Sequence, residues 1–109
     1  MKTDMDKEIT LSQLQQEIDR WIKGTGAGYF SPLTNTAMLA EETGEVAAVI
    51  ARIYGDQRPK PGDSLNLEEE IADLLWVLTA IANQTGTDLT EAIRKNFLKK
   101  QTRDSKRYM

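Results

Sequence analysis

Along the chain, apolar residues recur at helical rather than strand spacing. Leu11, Leu14, Ile18, Trp21 and Ile22 share one face of a 3.6-residue period, and Gly24, Gly26 and Gly28 then break it, so a first helix is predicted over about Leu11–Lys23. The loop after it ends in Tyr29-Phe30-Ser31-Pro32, where serine suits an N-cap and proline the first helical position. A second helix follows through Met38, Leu39, Val46, Val49, Ile50 and Ile53 and stops at Gly55. Gly44 inside it costs about 1 kcal/mol relative to alanine, which calls for a reason such as close approach of another backbone or of a ligand.

Residues 55–66 carry Pro59, Pro61, Gly62, Asp63, Ser64 and Asn66, turn chemistry throughout. A third helix is predicted from about Leu67 to Thr85, ended by Gly86. Asp88-Leu-Thr-Glu91 fits a capping box, and Leu89, Ile93 and Phe97 give a fourth helix a narrow apolar stripe. The rest, Lys99–Met109, is polar and basic and either frays or docks on a neighbour. With weak strand signals and no internal repeat, the expected architecture is an all-α four-helix bundle, one domain over 1–109 with its core at about 11–100.

Composition narrows the chemistry. The 109 residues include neither cysteine nor histidine. That removes disulfides, thiol nucleophiles, histidine triads and imidazole-ligated metals, leaving carboxylates with lysine, arginine and tyrosine as helpers. Fourteen Lys+Arg against 17 Asp+Glu give a net charge of -3, which offers no electrostatic footprint for a nucleic-acid polymer or an anionic membrane. Residues 1–8 lack the apolar stretch of a secretory signal, and the apolar run Ile71–Ala82 falls well short of the roughly 20 residues that span a bilayer. A soluble cytoplasmic protein is the expectation. Trp21 and Trp76 sit among apolar helix positions and are read as core or interface residues.

The acids are clustered. Glu41, Glu42 and Glu45 lie midway along the second helix, and Glu68, Glu69, Glu70 and Asp73 lie near the start of the third. Glu42 with Glu45, and Glu70 with Asp73, are i, i+3 pairs that place two carboxylates one turn apart on the same face. A solvated acidic face explains most such stretches, and Glu68 and Glu69 also complement the helix dipole. Asp73 fits that explanation poorly, because its helix is apolar on nearly every side and is expected to be enclosed. Four carboxylates from two facing helices form the alternative, an oxygen-only cage for a divalent cation. Hard oxygen donors favour magnesium or manganese, and magnesium commonly brings substrate phosphates with it. There is no Gly-rich phosphate loop.

Leu39-Ala-Glu-Glu-Thr-Gly-Glu45 followed by Glu70-Ile-Ala-Asp73 resembles the EExxE…ExxD signature of the MazG-like nucleotide pyrophosphohydrolases. Gly28-Tyr-Phe-Ser-Pro32, Arg52-Ile-Tyr-Gly55, the block Glu68–Leu75 and Thr102-Arg-Asp104 are similar to a short stand-alone subgroup of that family. The resemblance implies an all-α enzyme that converts nucleoside triphosphates to the monophosphate and pyrophosphate, with magnesium, or manganese in its place, on Glu42, Glu45, Glu70 and Asp73. It makes Glu41, at a position that in some members reaches a second metal or the attacking water, a candidate general base, or merely an exposed glutamate supporting the helix. Tyr29 and Phe30 match a position from which relatives bring aromatic rings to the base, although a hydrophobic staple explains them equally well. Asn83 is a candidate base or sugar contact, or merely a helix-end cap. Lys95 and Lys99 are candidate phosphate contacts, or merely cations at a helix C-terminus.

Self-association as a homodimer or homotetramer is expected from the apolar third helix and from the resemblance alike. The competing reading is a non-catalytic helical module that oligomerises, binds a protein partner and carries a structural divalent ion.

Overall fold

The computed structural model describes residues 7–63 and 65–104. Four helices, α1 (Leu11–Gly24), α2 (Pro32–Tyr54), α3 (Leu67–Gln84) and α4 (Leu89–Lys99), account for the architecture, and a π-helical turn over Lys100–Asp104 continues α4. No strand occurs among the described residues, and none of their helices is long and apolar enough to cross a membrane. Residues 1–6, Ser64 and most of the basic tail, 105–109, lie outside the described residues.

Each helix starts on a polar side chain that takes up backbone N–H groups left without partners in a first turn. Ser31 accepts from Thr34 N at 3.1 Å with Pro32 behind it, and Asn66 accepts from Glu69 N at 3.1 Å. At α1, Thr10 accepts from Gln13 N while Thr10 N donates to Gln13 Oε1, a reciprocal box that a search beginning from apolar positions passes over. Asp88 accepts from Thr90 N and Glu91 N, but the predicted return bond from Asp88 N–H to the Glu91 carboxylate is not made among the described residues. At the far end of α2, the Gly55 N–H donates to Ala51 O, and a Cβ on Gly55 would stand 2.7 Å from that oxygen, so only glycine fits.

Helix α3 is the middle of the layer, with α2 packed along one side and α1 along the other. Both pairings are antiparallel: Asn35 near the start of α2 bonds to Gln84 at the end of α3, and Gln15 near the start of α1 bonds to Asn83. Helix α4 turns back onto α1, where Leu89 N donates to Gln15 Oε1 at 3.0 Å. The core is small. Ile18, Ile22 and Ala80 form its centre with Leu14 and Tyr29 against them, and Val49, Val77 and Ala82 are also buried. The α2–α3 loop is tied down through Asp63, whose Oδ2 accepts from Lys60 N at 2.8 Å and lies 3.2 Å from Arg52 Nε. That Nε–H is buried and makes no hydrogen bond, so the Arg52 contact is an ion pair by proximity only.

Two expectations are corrected here. Helix α3 is not enclosed by its own chain, because Ile71, Leu75, Trp76 and Leu78 remain exposed, as do Ile50, Ile53 and Tyr54 on α2 and Phe97 and Leu98 on α4. A helix flanked on two sides still has open faces; periodicity records that a face is apolar but not what covers it. Gly44, in turn, is not approached by another backbone, since a Cβ there would meet nothing within 4 Å.

Candidate active site

The antiparallel pairing of α2 with α3 brings the two acidic motifs together. Carboxylate oxygens of Glu42, Glu70 and Asp73 lie within 4.8 Å of one another. Glu70 and Asp73 project from one face of α3, one turn apart, towards Glu42 on the facing helix. No lysine or arginine pairs with any of the three among the described residues, where the ion pairs are Arg20–Glu17, Lys23–Asp19 and Arg52–Asp63.

The electrostatics follow from this crowding. Partial burial pushes the Glu42 carboxyl above its ordinary range, and the negative charges of Asp73, Glu41, Glu70 and Glu45 push it further. Glu70 is raised by burial and then by Glu45, Asp73 and Glu69. Glu42 and Glu70 are half-buried, whereas Asp73 is exposed within the chain, on a helix that was expected to be enclosed. Glu45 is near enough to act on Glu70 but stands outside the converged trio, and Glu41 is an exposed neighbour of Glu42. An all-oxygen donor set with uncompensated negative charge fits a divalent cation.

Beside the acids lies a largely apolar cleft of about 270 Å³ between α1, the 27–30 loop, α2 and α3. Trp21 and Trp76 meet edge to face in its wall, with centroids 5.3 Å apart and planes at 85°. They are 60% and 38% exposed, so neither is core. Tyr29 and Phe30 also line the cleft. The Tyr29 hydroxyl is committed on both sides, donating to Asp19 Oδ1 at 2.6 Å and accepting from Asn83 Nδ2 at 3.1 Å. That hydroxyl and then Lys23 hold the Asp19 carboxyl below its usual range, while burial and the Asp19 bond raise the Tyr29 phenol.

Asn83 is a bolt between helices: its Oδ1 accepts from Gln15 Nε2, and its Nδ2 donates to Gln15 O and to Tyr29. Lys95 and Lys99 are exposed on α4, and neither forms an ion pair among the described residues. Helix α4 packs on α1, whereas the acids lie on α2 and α3, and no bond among the described residues joins Lys95 or Lys99 to them.

Sequence reasoning passed over Asn35, Gln84 and the cleft role of Trp76. A signal was available, since Asn35, Met38 and Glu42 follow i, i+3, i+7 on α2, and Asp73, Trp76 and Ala80 follow the same pattern on α3. The cleft and the acids therefore lie along continuous helix faces.

This fold, with acids facing one another across an antiparallel helix pair, is that of the all-α nucleotide pyrophosphohydrolases. Residues 30–108 match the sequence model of the MazG nucleotide pyrophosphohydrolase domain, and the chain belongs to that family, a family of hydrolases. It is 41% identical over 100 residues to the Bacillus subtilis (strain 168) protein YpjD, described only as uncharacterized, with 91% of this chain and 90% of that protein covered. The crystal structure of Bacillus subtilis YpjD, a candidate pyrophosphatase, aligns with a TM-score of 0.80 at 41% identity over 89% of this chain and 98% of that one. The crystal structure of the Bacillus-conserved MazG protein, a nucleotide pyrophosphohydrolase, aligns with a TM-score of 0.76 at 36% identity over 89% of this chain and 95% of that one.

Proposed function

We propose that this enzyme hydrolyses (deoxy)nucleoside triphosphates to the monophosphate and pyrophosphate in the presence of Mg²⁺ or Mn²⁺, removing unwanted nucleotides from the pool. The observation that carries the reading is the convergence of Glu42, Glu70 and Asp73 to within 4.8 Å with no cationic side chain paired to them among the described residues, beside an aromatic cleft. Glu42, Glu70 and Asp73, with Glu45 alongside, hold the cation. When bound, it supplies Lewis acidity towards phosphate oxygens and water and offsets the mutual repulsion of the acids.

The chain's own groups do the rest. The cleft walls of Trp21, Phe30 and Trp76 take up the base and set the distance from base to phosphate. Attack of a water oxygen on the α-phosphorus forms one P–O bond and breaks the bond to the β-phosphate oxygen, with pyrophosphate leaving and the water proton passing to the Glu41 carboxylate. Lys95 and Lys99, on the helix packed against α1, are the proposed phosphate contacts, from this chain or from a neighbouring copy. The uncovered apolar residues of α2, α3 and α4 support self-association as a dimer or tetramer.

The test is pyrophosphate release from a panel of canonical and modified triphosphates, with Mg²⁺, Mn²⁺ or chelator, for the native protein and Asp73→Asn. Metal-dependent formation of monophosphate plus pyrophosphate, lost in Asp73→Asn while circular dichroism stays unchanged, is expected. Folded, metal-supplied protein that turns over no triphosphate overturns the reading.

A further inference from the structure

In a largely apolar cleft, one buried polar side chain stands out. Asn35 is 4% exposed and lies among Ile22, Met38, Trp76, Val77 and Ala80 in the lining. Its orientation is dictated by a relay that begins at a group with no choice. The Phe30 carbonyl only accepts, so Gln84 must turn its Nε2 towards it, at 2.5 Å. Gln84 therefore presents Oε1 to Asn35, and Asn35 must answer with Nδ2, at 2.8 Å. An amide's O and N ends are ordinarily interchangeable on shape alone, but this chain of donors and acceptors permits a single arrangement. Asn35 Oδ1 and one Nδ2 hydrogen are left over. Among the described residues Oδ1 accepts from no group, yet it is not shut away from solvent as the Arg52 Nε is. Asn35 is part of the cleft lining, the space in which a ligand would meet it.

A buried amide with an idle acceptor is costly unless something pairs with it, and no described residue does, which leaves the acceptor to water or to a bound ligand. Glu42 lies seven residues further along α2 on the same face, about 10 Å by helical rise, a separation suited to a nucleotide whose base is in the cleft and whose phosphates are at the acids.

We propose that Asn35 is the specificity-determining residue of the cleft and reads the edge of the base: Oδ1 accepts a hydrogen bond from an exocyclic amino group while the remaining Nδ2–H donates to the adjacent base acceptor. The ligand class is the amino-bearing bases, adenine, cytosine and guanine. An amino group protrudes from its ring and reaches an acceptor recessed between apolar walls. The imide N–H of uracil or thymine does not protrude and is flanked by two carbonyls, of which the single free Nδ2 hydrogen satisfies one. Asn pairing with the amino and ring-nitrogen edge of adenine is the same chemistry in another setting. This inference rests on the nucleotide reading above, and its test separates the two.

The protein has two tryptophans, and both line the cleft, so ¹⁵N-labelled protein reports occupancy through two indole N–H signals. Adenosine, purine riboside (the same base without its amino group), cytidine and uridine are titrated in chelator, where neither metal nor phosphate contributes. The native protein is expected to bind adenosine at least tenfold more tightly than purine riboside and cytidine at least tenfold more tightly than uridine, because a site built to pair an N–H rejects the analogue that lacks it. Asn35→Leu, with an unchanged circular dichroism spectrum, is expected to bring both ratios within about twofold of one. Ratios near one in the native protein overturn the inference, and that measurement needs no variant to fold. Ratios that survive Asn35→Leu overturn it as well. Amino selectivity by a protein that hydrolyses no triphosphate supports this inference while the function reading falls; hydrolysis without amino selectivity does the reverse.

Discussion

Asn83→Leu separates a bolt from a ligand contact. The substitution removes three hydrogen bonds, from Gln15 Nε2 at 3.1 Å, to Gln15 O at 3.0 Å and to the Tyr29 hydroxyl at 3.1 Å. None of the partners is orphaned: Gln15 Nε2 keeps its bond to Thr87 O, and Tyr29 keeps its donation to Asp19. The loss should therefore follow the net value of about 1 kcal/mol per bond rather than the larger penalty for a stranded group, giving about 2–3 kcal/mol in total. For a domain near 100 residues each kcal/mol moves Tm by about 4–8 °C, so a fall of about 10–20 °C is expected. The assay is thermal unfolding by far-ultraviolet circular dichroism at fixed protomer concentration, alongside KM and kcat well below the new Tm. Gln15→Leu should destabilise comparably, and the double variant should cost less than the sum of the two singles because the bonds are shared. The reasoning is refuted by a Tm within about 2 °C of native together with a tenfold rise in KM, which would make Asn83 a substrate contact.

Other outcomes follow from the same geometry. Asp73→Asn should raise the Tm of the metal-free protein, since it removes one of the like charges acting on Glu42 and Glu70, and should abolish the Tm rise that Mn²⁺ gives the native protein, as read by differential scanning fluorimetry. Tyr29→Phe removes the main cause that lowers Asp19, whose stabilising contribution is present above its unfolded value of 3.8 and is lost as pH falls through the lower folded value. The Tm gap between native and Tyr29→Phe should therefore be widest near neutrality and close below pH 3.8. It should close again above pH 10.0, where the native phenol, raised in the fold, finally ionises. Thr10→Ala should destabilise α1 by about 1 kcal/mol through loss of its reciprocal cap, checked by urea unfolding, with kcat unchanged.

What could be read in advance was local. The helix limits follow from side chains near their own backbone: Ser31 and Asp88 as caps, Gly55 where a Cβ would strike Ala51 O, and a 3.6-residue apolar period between them. The i, i+3 acids were legible for the same reason, because helix geometry alone sets a one-turn separation. Family membership was legible too, carried by the two acidic motifs and their spacing.

Only the tertiary structure decided what happens between helices. It chose Glu42, Glu70 and Asp73 to converge and left Glu45 to one side, since which rotations of α2 and α3 face each other depends on packing rather than spacing. It left α3 half-uncovered and put Trp21 and Trp76 in the wall of a cleft, which periodicity could not foresee because an apolar face looks the same whether it meets a neighbouring helix, a ligand or a second chain. It also joined Asn35, Gln84 and the Phe30 carbonyl, three groups up to 54 residues apart, into one relay. Donors and acceptors that distant acquire an orientation only when the fold supplies a fixed end to the chain, and here that end is a backbone oxygen.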